Sequence, residues 1–139
     1  MAGYSGTPLA RKLGIKEGHR VGIIGAPEGF EQDIAPLPDQ VVVRTQARGD
    51  FDVLVLFTHR LADLERRFER LAGRLVANGG LWIGWPKKAA KLDTDLSFDA
   101  VQSVGLHAGM VDNKICAISD VYSGLRFVVR VEDRDGWRR

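Results

Sequence analysis

The chain has 139 residues, 45% of them hydrophobic and 27% charged, with 20 Lys plus Arg against 18 Asp plus Glu and a formal net charge of +2. That length suits one globular domain, since domains most often run to roughly 100–150 residues, and the balanced composition excludes whole-chain disorder, collagen-like repeats and coiled coil. The longest apolar run, Val53-Leu54-Val55-Leu56-Phe57, is far short of the roughly 18 residues a membrane span needs, and so small a net charge leaves a polyanion only a local patch to bind, which argues against nucleic acid.

The start, Met1-Ala2-Gly3-Tyr4-Ser5-Gly6, lacks the basic residues and apolar stretch of a secretory signal. With Cys116 as the lone cysteine, this points to a reducing cytoplasm. Thr7 before Pro8 predicts a helix start, with Thr7 as N-cap and a short helix through Leu9 and Leu13 that Gly14 ends. After a turn at Lys16 to His19, Arg20 to Gly25 is a short β-branched run bounded by glycine, the pattern of a buried parallel strand. Ala26 to Phe30 follows as a loop. The stretch from Glu31 to Gln40 contains Pro36 and Pro38 and leaves room for one helical turn before a strand at Val41 to Thr45. About six residues separate this strand from the next, Asp52 to Phe57, whereas a parallel return takes about a dozen and six extended residues span about 20 Å. Val41 to Thr45 is therefore expected to run antiparallel to its neighbours.

The strongest helical pattern runs from Leu61 to Val76, where Leu61, Leu64, Phe68, Leu71, Ala72, Leu75 and Val76 form one apolar stripe, with Thr58 as cap and Asn78-Gly79-Gly80 as stop. Its other face mixes charges, pairs Asp63 with Arg67 at i, i+4, and reads as solvated. Leu81 to Trp85 is the next buried strand, ended by Pro86. Ser97 caps a helix through Val101, Val104 and Ala108 that Gly109 ends. Lys114 to Ile118, a turn at Asp120 to Gly124, and Leu125 to Val131 close the chain as an antiparallel hairpin. Leu125, Phe127, Val129 and Val131 share one face of its last strand. Residues 132–139 form a charged, frayed tail on a single domain spanning 1–139.

Strands alternating with helices predict a three-layer, Rossmann-like α/β sandwich with right-handed βαβ units. The ending, strand-helix-strand-helix-hairpin, resembles the C-terminal half of the S-adenosylmethionine-dependent methyltransferase fold in a reduced form. Four motifs in order, Gly3-Tyr4-Ser5-Gly6-Thr7-Pro8-Leu9, Gly25-Ala26-Pro27-Glu28-Gly29-Phe30, Trp85-Pro86-Lys87-Lys88 and Tyr122-Ser123-Gly124-Leu125, resemble the bacterial family catalogued as domain of unknown function 3052. The resemblance covers the chain from about Ala2 to Val131. It implies a small cytoplasmic bacterial protein and supplies no activity.

In an open α/β sheet, ligands bind outside the carboxyl ends of the parallel strands. Those ends present Gly25 to Phe30, Phe57 to Arg60 and Trp85 to Lys88. Gly25 and Gly29, in the loop with Ala26, Pro27 and Glu28, let backbone approach a ligand, while Arg60, Lys87 and Lys88 add positive charge beside a helix start. Trp85 lies at its strand end, where it can cover a ligand, and an odd spacing points Trp82 to the opposite sheet face. These nine residues make a candidate anion or nucleotide site: Gly25, Ala26, Pro27, Glu28 and Gly29, then Arg60, Trp85, Lys87 and Lys88.

An S-adenosylmethionine site needs a glycine-rich first loop and usually an acid ending the second strand. Pro27 removes one N–H from the loop, and Val41 to Thr45 ends without an acid. Phe57-Thr58-His59-Arg60 does not resemble the Asn-Pro-Pro-Tyr type of motif of amino-group methyltransferases. His19, His59 and His107 lack paired metal-ligand spacing, and Cys116 sits mid-strand as a buried, inert thiol. Asp93 and Asp95 read as helix-start caps rather than an acid/base pair, and no serine has a nucleophile-elbow context. The leading reading is a non-catalytic, degenerate methyltransferase-like domain that binds a small anionic ligand or a protein partner. The alternative is an active S-adenosylmethionine-dependent methyltransferase. A third, a structural partner in a complex, rests on Trp137 and the apolar hairpin.

Overall fold

A computed structural model describes residues 7–137, so Gly3 to Gly6 of the first motif lie outside the described residues. Strands β1 (Arg20–Ile24), β2 (Val42–Arg44), β3 (Phe51–Phe57), β4 (Leu75–Pro86), β5 (Val111–Ala117) and β6 (Tyr122–Val128) form one sheet in the order β2-β1-β3-β4-β6-β5. The pairs β1–β2, β1–β3 and β3–β4 are parallel, and β6 runs antiparallel to both β4 and β5. The final hairpin thus inserts its second strand between β4 and β5. This is a three-layer α/β sandwich, as the alternation of elements predicts. None of its described helices is long and apolar enough to cross a membrane.

Strand β2 corrects the antiparallel expectation for Val41 to Thr45, because it runs parallel to β1, with Val21 opposite Val43 and Gly22 opposite Arg44. The distance estimate assumed that β2 and β3 are long neighbours. They instead flank β1, and β2 has only three residues. Arg44 lies level with Gly22, and Val53 with Val21. From the end of β2 the chain therefore steps back about 10 Å along the strands and about 10 Å across β1, a diagonal of about 14 Å that six residues span. The parallel crossover is made earlier, between β1 and β2, by the long segment holding α2 (Phe30–Ile34).

Alternation along β3 divides the core. Leu54 and Leu56 face α3 (Leu61–Ala72) and α4 (Phe98–His107), joining Leu64, Phe68, Leu71, Val101, Trp85, Leu125 and Phe127. Val53, Val55 and Phe57 face the other way, joining Leu13, Phe30, Ile34 and Trp82 beneath α1 (Leu9–Lys12) and α2. The two tryptophans lie on opposite faces as their spacing requires, and Trp82 donates its Nε1–H to the Leu13 carbonyl at 3.0 Å.

Several element boundaries shift, among them the start of β5, which begins at Val111 rather than Lys114. Helix α1 starts at Leu9 with Pro8, rather than Thr7, in the N-cap position. Helix α3 ends at Ala72, not Val76, with Gly73 as C-cap, and Leu75 and Val76 already belong to β4, where Leu75 pairs with Phe51. The predicted stop Asn78-Gly79-Gly80 lies inside β4, in an irregular stretch where three extra residues separate the Phe51–Leu75 and Val53–Gly80 pairs. At the hairpin, the Ser119 hydroxyl accepts from the Val121 and Tyr122 N–H groups. This tight turn puts Tyr122 to Gly124 into the strand and moves Val131, 74% exposed, out of it. The tail is docked through residue 137: Trp137 donates its indole N–H to the Leu75 carbonyl at 2.9 Å and packs against the α3/α4 core. Trp137 is therefore engaged within its own chain.

Candidate functional site

The loops after β1, β3 and β4 lie side by side because those strands are neighbours in register, Ile24 beside Leu56 and Phe57 beside Gly84. Gly25 leaves β1 at φ 72°, and a Cβ there would stand 3.0 Å from the Phe57 carbonyl oxygen. Only glycine allows both the left-handed turn and that approach. Ala26 and Glu28 are exposed, and Pro27 is half-buried with its carbonyl accepting from the Phe30 N–H. Gly29, at φ 88°, starts the five-residue α2. Two strand spacings, about 10 Å, separate this loop from the end of β4. Between them Thr58 is buried, and its N–H donates to the Gly84 carbonyl at 3.0 Å.

Past β4, the Lys87 N–H donates to the Val121 carbonyl at 2.7 Å and a single 3-10 turn, Lys88–Ala90, begins. Lys87 is half-buried and Lys88 exposed, and neither joins an ion pair among the described residues. Trp85 is 5% exposed and packed in the α3/α4 core. It forms a wall of the core and offers no open ring for stacking.

Arg60 has a different fate from the two lysines. Its guanidinium pairs with Asp93, and the Asp95 carboxylate accepts the Leu61 N–H at 2.7 Å. Asp95 thus caps α3, a helix start in keeping with its sequence reading, although across 34 residues of chain. Thr94 fastens the same segment by donating its hydroxyl to the His59 carbonyl at 2.7 Å. The anion-favouring end of α3 is consequently filled by the chain's own carboxylates. Thr58, predicted as the cap, donates its hydroxyl to Asp63 at 2.7 Å. Burial opposes ionisation of Asp63, but that bond and the pairing with Arg67 and Arg66 outweigh it and hold its carboxyl below the usual value.

His59 and Tyr122 meet at the same edge, Nε2 to Oη 2.8 Å, although 63 residues separate them. The Tyr122 ring stacks edge-on against Phe57, which in turn meets Phe30. Burial pushes the Tyr122 phenol up from its usual value. The sequence reading did not pair these two; its available signal was that His59 and the Tyr122 motif both flank strand ends. Cys116 is half-buried, and burial raises its thiol against the opposing pull of Lys12 and Lys114, which keeps it a poor nucleophile. Asp93 and Asp95 are committed to Arg60 and Leu61. The edge therefore combines backbone turns, two unpaired lysines and one hydrogen-bonded His–Tyr pair.

No protein-family model matches the chain, and no curated protein matches it. Solved structures do. A precorrin-6y C5,15-methyltransferase from Geobacter metallireducens GS-15 superposes with a TM-score of 0.59 at 9% identity, covering 88% of this chain and 86% of that one. The magnesium protoporphyrin IX methyltransferase of Synechocystis PCC 6803, with bound S-adenosylmethionine, gives 0.57 at 11% identity over 88% and 74%. The fibrillarin pre-rRNA processing protein of Methanococcus jannaschii gives 0.57 at 11% identity over 88% and 69%. At such identities the likeness shows the fold alone: a Rossmann-like α/β sandwich of the kind these methyltransferase structures adopt.

Proposed function

We propose that the chain is a non-catalytic, methyltransferase-like domain that binds a small anionic ligand at the carboxyl edge, between the Gly25–Gly29 loop and Lys87–Lys88. One observation carries the reading: the carboxylates Asp93 and Asp95 at this edge are consumed by Arg60 and the α3 N-terminus, while Lys87 and Lys88 have no acidic partner among the described residues. The end of β2 beside the Gly25 loop supplies Arg44, not an acid that would hold ribose hydroxyls. Glu28 is the loop's single acid and is exposed. A compact anion between the loop and the lysines would lie over Thr58, drawing on charge from one side and backbone from the other.

The second reading, an active methyltransferase, is supported by the likeness to structures solved with S-adenosylmethionine or S-adenosylhomocysteine. For such a cofactor, the Gly25–Gly29 loop would cradle the amino-acid end, and His59 with Tyr122 would be the groups placed to handle a proton. The motifs that resemble domain of unknown function 3052 do not choose between the two readings. Isothermal titration with inorganic pyrophosphate and with S-adenosylhomocysteine, both to millimolar concentration, separates them. The binding reading expects heat from pyrophosphate that Lys87→Gln/Lys88→Gln abolishes, and none from S-adenosylhomocysteine. Heat from S-adenosylhomocysteine installs the second reading. Silence from both overturns the anion site and turns the search to a protein partner.

A further inference from the structure

A groove of about 430 Å³ lies between α3 and α4, and none of its lining residues belongs to the carboxyl-edge loops just described. Gly105 lets α4 sit directly on Phe127, where a Cβ would come within 2.0 Å of the ring, and α3 rests on Phe68, edge-on to the same ring at 5.2 Å. The α4 positions facing α3 include Ala100 and Ala108, too short to fill the space. Leu61, Phe68 and Val104 give the groove an apolar lining. From Leu61 to Glu69 it runs about 12 Å, eight residues of helix rise. That is the scale of a small molecule and not of a protein interface.

The charge at the groove is one-sided. Glu65 and Glu69 form one wall, Ser103 and His107 stand opposite, and no Lys or Arg lines it. The two glutamates are spaced i, i+4, an arrangement of like charges that costs a helix a few tenths of a kcal/mol. Neither joins an ion pair among the described residues, because Arg66 and Arg67 are committed to Asp63. Apolar lining plus uncompensated carboxylates select against anions and leave a neutral apolar molecule without a polar anchor.

We propose that this groove binds a small amphiphilic amine, its apolar body against the half-buried Leu61 and Val104 and its protonated nitrogen between Glu65 and Glu69. The site is independent of the carboxyl edge, which takes the opposite charge. The test is heteronuclear NMR titration of the full chain with hexylamine, hexanol and hexanoate at mildly alkaline pH, where an alkylamine is a cation and hexanoate an anion. Hexylamine is expected to shift the amides of Phe68, Val104 and Ala108, and hexanoate to leave them unmoved. Glu65→Gln/Glu69→Gln, at exposed positions, is expected to weaken hexylamine about tenfold, since two exposed ion pairs contribute a few-fold each, while hexanol is unaffected. Equal binding of hexylamine and hexanol that ignores the double variant overturns the proposal, as does the absence of shifts at those amides. Because the amides read out are on α3 and α4, failure here leaves the pyrophosphate experiment standing.

Discussion

Replacing Gly105 by alanine sets two effects against each other. Alanine in a helix interior is favoured over glycine by about 1 kcal/mol, so on an exposed helix the change would stabilise. Here the new Cβ would lie 2.0, 2.4 and 2.5 Å from Phe127 Cε1, Cδ1 and Cζ, where carbon atoms rest at about 3.5–4.0 Å. Phe127 is fully buried and held edge-on by Phe68, so the ring cannot swing clear, and α4 must lift by about 1.5 Å to reach normal contact. Overpacking of this kind costs about 1–3 kcal/mol, and a clash this deep belongs at the upper end, leaving a net loss of about 2 kcal/mol after the propensity gain. For a domain of this size that lowers the melting temperature by roughly 8 °C. Thermal and urea unfolding followed by circular dichroism measure it, and Phe127→Leu in the same chain should recover part of the loss. A Gly105→Ala protein as stable as its parent would refute the claim that this glycine is selected by packing.

Three further expectations rest on single contacts. Asp63→Asn should lower stability by about 0.5–1 kcal/mol at neutral pH. Because the folded carboxyl titrates below its ordinary 3.8, that contribution is present above the unfolded value, is lost as pH falls through the folded one, and the gap between the proteins should close in acid. The Tyr122 phenol, raised by burial above its ordinary 10.0, should ionise later than a free tyrosine in an alkaline absorbance titration. Its share of stability is present below the unfolded value and is lost as pH rises through the folded one. In Tyr122→Phe the later step should be missing, and a single unshifted step in the parent would contradict the burial account. Trp82→Phe removes the bond to the Leu13 carbonyl and leaves a void in a fully buried site. A loss of about 2–3 kcal/mol in urea unfolding is expected, and a neutral result would mean that α1 is not anchored by this indole.

Much of the fold was legible because it is written in local patterns. The apolar run at Val53 to Phe57, the capping Ser97 and the odd spacing of Trp82 and Trp85 each determine a neighbourhood within a few residues. The failures share a physical cause. Leu75 and Val76 continue the helical period of α3 by coincidence of apolar spacing, while their burial comes from pairing with a strand distant in sequence. The direction of β2 depended on which strand it neighbours, a topological fact that loop length alone does not contain. At the site, sequence brought the Gly25, Thr58 and Lys87 segments to one edge, but it could not show that Arg60 is already paired or that His59 meets Tyr122, because those partners lie 33 and 63 residues away.

The docking of Asp93 and Asp95 on Arg60 and Leu61 turns the end of α3 into a competition. A carboxylate held by a short tether behaves as though present at millimolar or higher local concentration, so any free anion approaching Arg60 meets an opponent that never diffuses away. Simple anions at comparable concentration gain little there. Only a ligand that also engages the Gly25 turn or the two lysines can displace the segment by multivalent contact, and that requirement would filter abundant simple ions from a rarer, more elaborate one.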